Sequence, residues 1–145
     1  MVPIDLHKIC SLLGLESSQF SSMEQLVAFA DGGLNFYCVQ SLESFFKGTG
    51  YLSEKNLSDA IGESSSDFPM RRLTPETSSK LLNLATVAAL ASYVWSSDRW
   101  AAEFLTKPHQ LLGGQRPIDL VLDGASSSLD NIAKVLTNLF YGVYS

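Results

Sequence analysis

The residues able to do chemistry are few and far apart. The chain has two histidines and two cysteines. His7 and Cys10 stand three apart, but Cys38 and His109 are remote from them in sequence. A structural zinc site needs closely spaced ligands, so no metal is expected, and Cys10 and Cys38 read as small buried apolar groups. A hydrolase nucleophile would sit in G-x-S-x-G, and Gly124-Ala125-Ser126-Ser127-Ser128 lacks the second glycine. Gly48-Thr49-Gly50 and Gly113-Gly114 do not complete a phosphate-cradling loop, and no strand pattern precedes either. Acid–base work would fall to His7 or His109, and neither has a convergent acid and nucleophile. The expectation is therefore no catalytic residue, no cofactor and no enzyme activity. What remains is binding.

The elements that would present a binding surface read as helical almost throughout. The 145 residues are 46% hydrophobic and 17% charged, which suits one domain or two small helical subdomains sharing a core. That length buries roughly two-thirds of the unfolded surface. The net charge of −5 argues against a protein that coats polyanions, while leaving room for a local basic patch. No segment alternates apolar and polar residues for long, and no Asn-Gly or Asp-Gly hairpin joins β-branched runs. Met1-Val2-Pro3-Ile4-Asp5 lacks the basic start and long apolar run of a signal peptide. The most apolar stretch, Leu81 to Trp95, falls short of the ~20 residues of a bilayer span. A soluble, cytoplasmic chain is expected, and two cysteines make no secreted disulfide scaffold.

Short helices are expected near residues 5–13, 22–30 and 36–47. In the second, Met23, Leu26, Val27 and Ala30 share one face, which Phe29 widens. Leu42, Phe45 and Phe46 define the inner face of the third. Thr74-Pro75-Glu76 is a strong helix start: a capping hydroxyl, a proline at the first helical position and an acid in the first turn. That helix should run to about Trp95, ~30 Å at 1.5 Å per residue. It is apolar nearly all round, so it reads as a buried spine. Ser97 caps the next helix, with Trp100, Ala101, Phe104 and Leu105 inward, and Pro108 stops it. Pro117 to about Leu122 and a final helix from Ser126, Ser127 or Ser128 complete the chain. The last helix carries the stripe Leu129, Ile132, Ala133, Leu136, Leu139, Phe140 and Val143, with Lys134, Thr137, Asn138 and Tyr141 opposite. An outward tyrosine followed by Gly142-Val143-Tyr144-Ser145 suits a partner contact, because tyrosine is a preferred interface anchor.

Two segments carry functional signals. In residues 53–72, Ser53 caps a helix from Glu54 to about Ile61, with Leu57, Ala60 and Ile61 inward. Gly62 ends it, and a short second helix starts at Ser64, Ser65 or Ser66 and runs to about Met70. That is helix-turn-helix spacing. Its charge is poor for a phosphate-facing surface: Lys55, Arg71 and Arg72 are outnumbered by Glu54, Asp59, Glu63 and Asp67. Arg116 and Asp119 also have a local account, with Asp119 in a helix's first turn and Arg116 free to pair a carboxylate.

The second segment is Trp100-Ala101-Ala102-Glu103-Phe104-Leu105-Thr106-Lys107-Pro108-His109-Gln110-Leu111-Leu112-Gly113-Gly114-Gln115-Arg116-Pro117-Ile118-Asp119-Leu120. With the closing Phe140-Tyr141-Gly142-Val143-Tyr144-Ser145, it resembles the MbcA/ParS/Xre antitoxin family. The resemblance covers about residues 53–145, more loosely 36–52, and leaves 1–35 unmatched. It implies an all-α fold: an Xre-like helix-turn-helix half in residues 1–73, joined by the spine helix to a toxin-binding half, residues 74–145. It implies binding to a RES-domain toxin, an NAD-consuming or ADP-ribosylating enzyme whose active site is occluded, with autorepression of the operon and a homodimer. The toxin-binding residues it implies are Arg116, Asp119, Asn138, Tyr141, Gly142, Val143, Tyr144 and Ser145. The DNA-binding residues are Ser64, Ser65, Ser66, Arg71 and Arg72. Asp67 and Pro69 depart from the family's recognition helix, so operator DNA is expected only where an assembly presents several motifs together. The alternatives are a stand-alone helix-turn-helix repressor and, less favoured, a helical small-molecule sensor built on the apolar spine.

Overall fold

The computed structural model describes residues 5–47, 57, 71–123 and 126–140. Its described residues form seven α-helices and no strand. Helix α1 spans Leu6–Leu12, α2 Met23–Asp31 and α3 Tyr37–Phe45; α4 spans Pro75–Trp95, α5 Asp98–Thr106, α6 Pro117–Asp123 and α7 Ser126–Phe140. The fold is all-α, as the sequence predicts.

The helix ends follow from side-chain chemistry. The Asp5 carboxylate accepts from the Lys8 amide at 3.1 Å and opens α1. Ser22 Oγ accepts from the Gln25 amide at 3.3 Å, while the Ser21 amide donates to Gln25 Oε1 at 2.8 Å. This reciprocal pair satisfies two amides that the first turn of α2 leaves open. Thr74 Oγ1 accepts from the Thr77 amide at 3.2 Å with Pro75 at the first helical position of α4. Each such cap stabilises its helix by about 1 kcal/mol.

Helix α4 is the spine. It packs against α1 and α2 on one side of the chain's order and α5, α6 and α7 on the other. Leu81, Leu84, Ala85, Ala88 and Ala91 are fully buried along it. Its alanines let neighbouring helices approach on several sides, which is why its sequence shows no polar stripe. A single buried core runs from Ile9 and Leu13 through α4 to Ile132 and Leu136, across the 73/74 junction. No helix among the described residues is long and apolar enough to cross a membrane.

Residues 71–73 are held against the end of α2. The Phe36 amide donates to the Arg71 carbonyl and the Leu73 amide to the Leu34 carbonyl, both at 2.7 Å. The Leu34 amide donates to Ser78 Oγ at 2.8 Å, so the first turns of α4 are fixed to the same corner. Leu57 is helical and buried, and its amide donates to Glu43 Oε2 at 3.1 Å. The rest of the expected helix-turn-helix up to Met70 lies outside the described residues.

Two expectations about helix faces need correction. Val27 and Phe29 are exposed, and only Leu26 and Ala30 of α2 are buried. The buried stripe of this nine-residue helix is narrow, and Phe29 packs its ring edge-on against Phe20 at 5.2 Å instead. Trp100 is 59% exposed and not an inner-face residue. The buried arc of α5 centres on Ala101 and Leu105, and Trp100 lies about 100° round the helix from Ala101. In α7, Val135 is buried beside Ile132 and Leu136, which widens the expected stripe.

Candidate functional site

The surface built by α5, α6, α7 and the turn between α5 and α6 holds the expected binding residues that are described. The turn is made by its glycines. Gly113 and Gly114 have φ of +68° and +80°, a region that L side chains rarely adopt. The Leu112 and Gly114 amides both donate to the His109 carbonyl at 3.0 Å, and the His109 amide donates to the Gln115 carbonyl at 3.1 Å. The chain thus doubles back on itself before Pro117 opens α6. A β-carbon at Gly113 or Gly114 would meet nothing within 4 Å, so these glycines serve backbone conformation and not close packing.

Arg116 and Asp119 stand at the start of α6. Arg116 Nε donates to Asp119 Oδ2 at 2.8 Å, and both side chains are partly exposed. The local pairing open to Arg116 is therefore made, and it presents a preoriented guanidinium at the surface. Asn138 lies half-buried on α7, near the exposed Lys134 and the half-buried Thr137, whose hydroxyl donates to the Ala133 carbonyl at 2.8 Å. Helices α6 and α7 pack on each other, and α7 also packs on the Gln110–Leu112 turn. The elements bearing Arg116, Asp119 and Asn138 therefore adjoin. Tyr141, Gly142, Val143, Tyr144 and Ser145 lie outside the described residues.

The expected nucleic-acid residues divide similarly. Ser64, Ser65 and Ser66 lie outside the described residues. Arg72 Nη1 donates to the Gly32 carbonyl at 2.9 Å, which satisfies the C-terminal cap of α2. The Arg71 guanidinium lies 5.0 Å from the centre of the Phe36 ring. Both cations have intramolecular work.

A group of aromatic side chains was not singled out by the sequence reading as a surface. Tyr93, Trp95 and Trp100 are 45%, 41% and 59% exposed. The Trp95 and Phe104 rings lie 6.1 Å apart, and Phe104 meets the His109 ring edge-on at 5.3 Å. The signal available was the spacing of Trp95 and Trp100 around the Ser96-Ser97 break. Ser96 has φ +52° and Ser97 Oγ accepts from the Trp100 amide at 3.2 Å, so the chain turns sharply between the two indoles. The Lys107 ammonium and Glu103 Oε2 pair at 2.8 Å beside them, one helical turn apart. Across the start of α5, Lys8 Nζ contacts both Asp98 oxygens at 2.8 and 3.0 Å. That bond, above all, holds the Asp98 carboxyl below its ordinary pKa.

No group of three or more His, Cys, Asp or Glu side chains among the described residues is placed to hold a metal ion. Cys10 and Cys38 are both buried free thiols. Burial pushes the Cys38 thiol up to about 12, outweighing the backbone and Tyr37 hydrogen bonds that favour its thiolate.

The surface carries paired charges, partly exposed aromatics and a two-glycine turn on short packed helices. No curated protein matches the chain. Residues 90–142 match the model of the antitoxin Xre/MbcA/ParS C-terminal toxin-binding domain. The match takes in the end of α4, all of α5 and α6, the turn between them and all of α7. Residues 53–89, over which the resemblance is expected to extend, lie outside it. Over residues 90–142 this chain is thus similar to the C-terminal toxin-binding domain of the Xre/MbcA/ParS antitoxins.

Proposed function

We propose that this chain is the antitoxin of a type II toxin–antitoxin pair and neutralises a RES-domain toxin, an NAD-consuming or ADP-ribosylating enzyme, by covering its active site. The observation that carries the reading is the match of residues 90–142 to a toxin-binding domain. Binding energy does the work, with no reaction on the antitoxin. Arg116, already oriented by Asp119, offers the flat donor array suited to a carboxylate or phosphate-like group at the toxin's mouth. Helix α7 presents Asn138 and leads into Tyr141, Gly142, Val143, Tyr144 and Ser145, which extend the contact into the cleft. The division of labour falls at residue 73/74: the C-terminal part blocks the toxin, and the N-terminal part serves the homodimer and operator. Autorepression through residues 53–72 belongs to the assembled complex. Arg71 and Arg72 are engaged within the fold, which favours several weak motifs acting together over a stand-alone repressor.

Co-expression with the product of the adjacent gene, expected to be a RES-domain protein, is the test. Growth and cellular NAD should be restored in step with formation of a complex. A toxin that stays active while the chain is bound would overturn occlusion, and no complex would overturn the partner. A gel shift on the upstream DNA at two salt concentrations, with and without toxin, checks autorepression. The shift should need the toxin and weaken as salt rises.

A further inference from the structure

A cleft of about 280 Å³ is lined by Trp95, Trp100, Glu103, Phe104, Lys107, Pro108 and His109. We propose that it receives one large apolar side chain of the toxin, carried on a segment that also bears carboxylates. The inference rests on the antitoxin reading and specifies where part of its binding energy arises.

Four observations carry it. Every lining residue falls inside the segment matched to a toxin-binding domain. Of the five large apolar side chains exposed among the described residues, Tyr93, Trp95 and Trp100 lie in that segment, and two of them line the cleft. Exposed tryptophan is costly to leave in water, and it is the residue type most enriched where binding energy concentrates. The cleft's volume falls just below the ~300–1,000 Å³ of small-molecule sites, which suits a single side chain.

The charge pattern states the chemistry of the flanks. The molecule carries −5 overall, yet the cleft's edge is locally basic. The Arg99 guanidinium lies 6.0 Å from the centre of the Trp100 ring, and Lys107 stands on the opposite turn of α5. Glu103 is neutralised by Lys107 at 2.8 Å, and Asp98 by Lys8 at 2.8 Å. A carboxylate beside the inserted side chain would meet Arg99, and such complementarity acts chiefly on the rate of association. A second copy of this chain is the competing occupant.

Trp95 and Trp100 are the chain's only tryptophans, so a tryptophan probe reports on this cleft alone. The full chain labelled with 5-fluorotryptophan should give two fluorine resonances, assigned with Trp100→Phe. Adding the unlabelled, catalytically inactivated toxin identified by the co-expression test should move both. The free chain's resonances should stay fixed on dilution. Trp100→Ala should weaken the complex about tenfold or more, and Arg99→Glu should slow association, most at low salt. A complex that leaves both resonances unmoved overturns the cleft while the antitoxin reading stands. Resonances that respond to the chain's own concentration and not to the toxin assign the cleft to a second copy and overturn the proposal. Absence of any complex overturns the function and the cleft together. Should Trp100→Ala fail to fold, the shifts in the unsubstituted chain still decide.

Discussion

Gly33 has φ +97°, and a β-carbon there would lie 2.7 Å from both Arg72 Cγ and the Leu73 carbonyl oxygen. The Leu73 side of that contact is backbone fixed by its hydrogen bond to Leu34, so it cannot step aside. Gly33→Ala should therefore destabilise the fold by about 1–3 kcal/mol, from strain in the left-handed region plus the clash. Urea unfolding reads this directly, and a change within error of zero would show that the corner is soft. Cys38 supports a second residue-scale prediction. Its thiol titrates near about 12 in the folded chain because burial disfavours the thiolate, against an ordinary ~8.5 when unfolded. The stabilisation from keeping it neutral is complete below the unfolded value. It is lost as pH rises toward the folded one, with a slope approaching ~1.4 kcal/mol per pH unit for one proton. Cys10 and Tyr37 are also raised, first by burial, and act in the same direction. Stability should therefore fall steadily above about pH 8.5, and Cys38→Ala should flatten that fall. Parallel pH curves for the two proteins would contradict the buried-thiol account.

At the scale of elements, α4 sets the tolerance of the molecule to change. Ala88 is fully buried in a helix that five others touch. Ala88→Leu adds volume where the neighbours have no room to withdraw, and should cost about 1–3 kcal/mol. A lowered melting temperature with an unchanged helical circular dichroism spectrum is the expected result; an unchanged melting temperature would mean a looser spine. This helix was also the most legible element. Thr74-Pro75-Glu76 fixes its start by capping and by proline geometry, both local effects, and its length follows from unbroken apolar residues. Ser97 and Ser22 were legible for the same reason. The inner faces of α2 and α5 were less so. Trp100 shares the period of Phe104, but a nine-residue helix buries only the arc its neighbours reach, and that reach is tertiary. The aromatic cleft was hidden for this reason, since its walls come from both sides of the Ser96-Ser97 bend. Arg116 is expected to pair a carboxylate, and the i, i+3 spacing at the start of α6 makes Asp119 that partner.

The whole molecule raises the question of whether the two proposed functional parts are also two energetic ones. The packing argues for one. Helix α4 belongs to both, with α1 and α2 against it as well as α5, α6 and α7. Separating the parts would expose apolar surface on α1, α2 and α4 together, and at about 25 cal/mol per Å² that cost keeps partial unfolding rare. The Lys8–Asp98 tie adds a smaller link. Its carboxylate is 57% exposed, so screening limits it to no more than about 1 kcal/mol. Because the Asp98 pKa is lowered, that contribution is full above aspartate's ordinary ~3.9 and vanishes as the pH falls through the lower folded value. The sequence places convenient reporters on either side. Both tryptophans, Trp95 and Trp100, follow the 73/74 junction, and both cysteines, Cys10 and Cys38, precede it and are buried. Denaturant unfolding followed by tryptophan fluorescence should coincide with exposure of the two thiols to a labelling reagent, in midpoint and in slope, as for a single cooperative unit. Thiols that become reactive at a denaturant concentration where the tryptophan signal is still native would show that α1–α3 can detach from the spine. In that case residues 74–145 would stand on their own packing, and the N-terminal part could rearrange without disturbing the proposed toxin-binding surface.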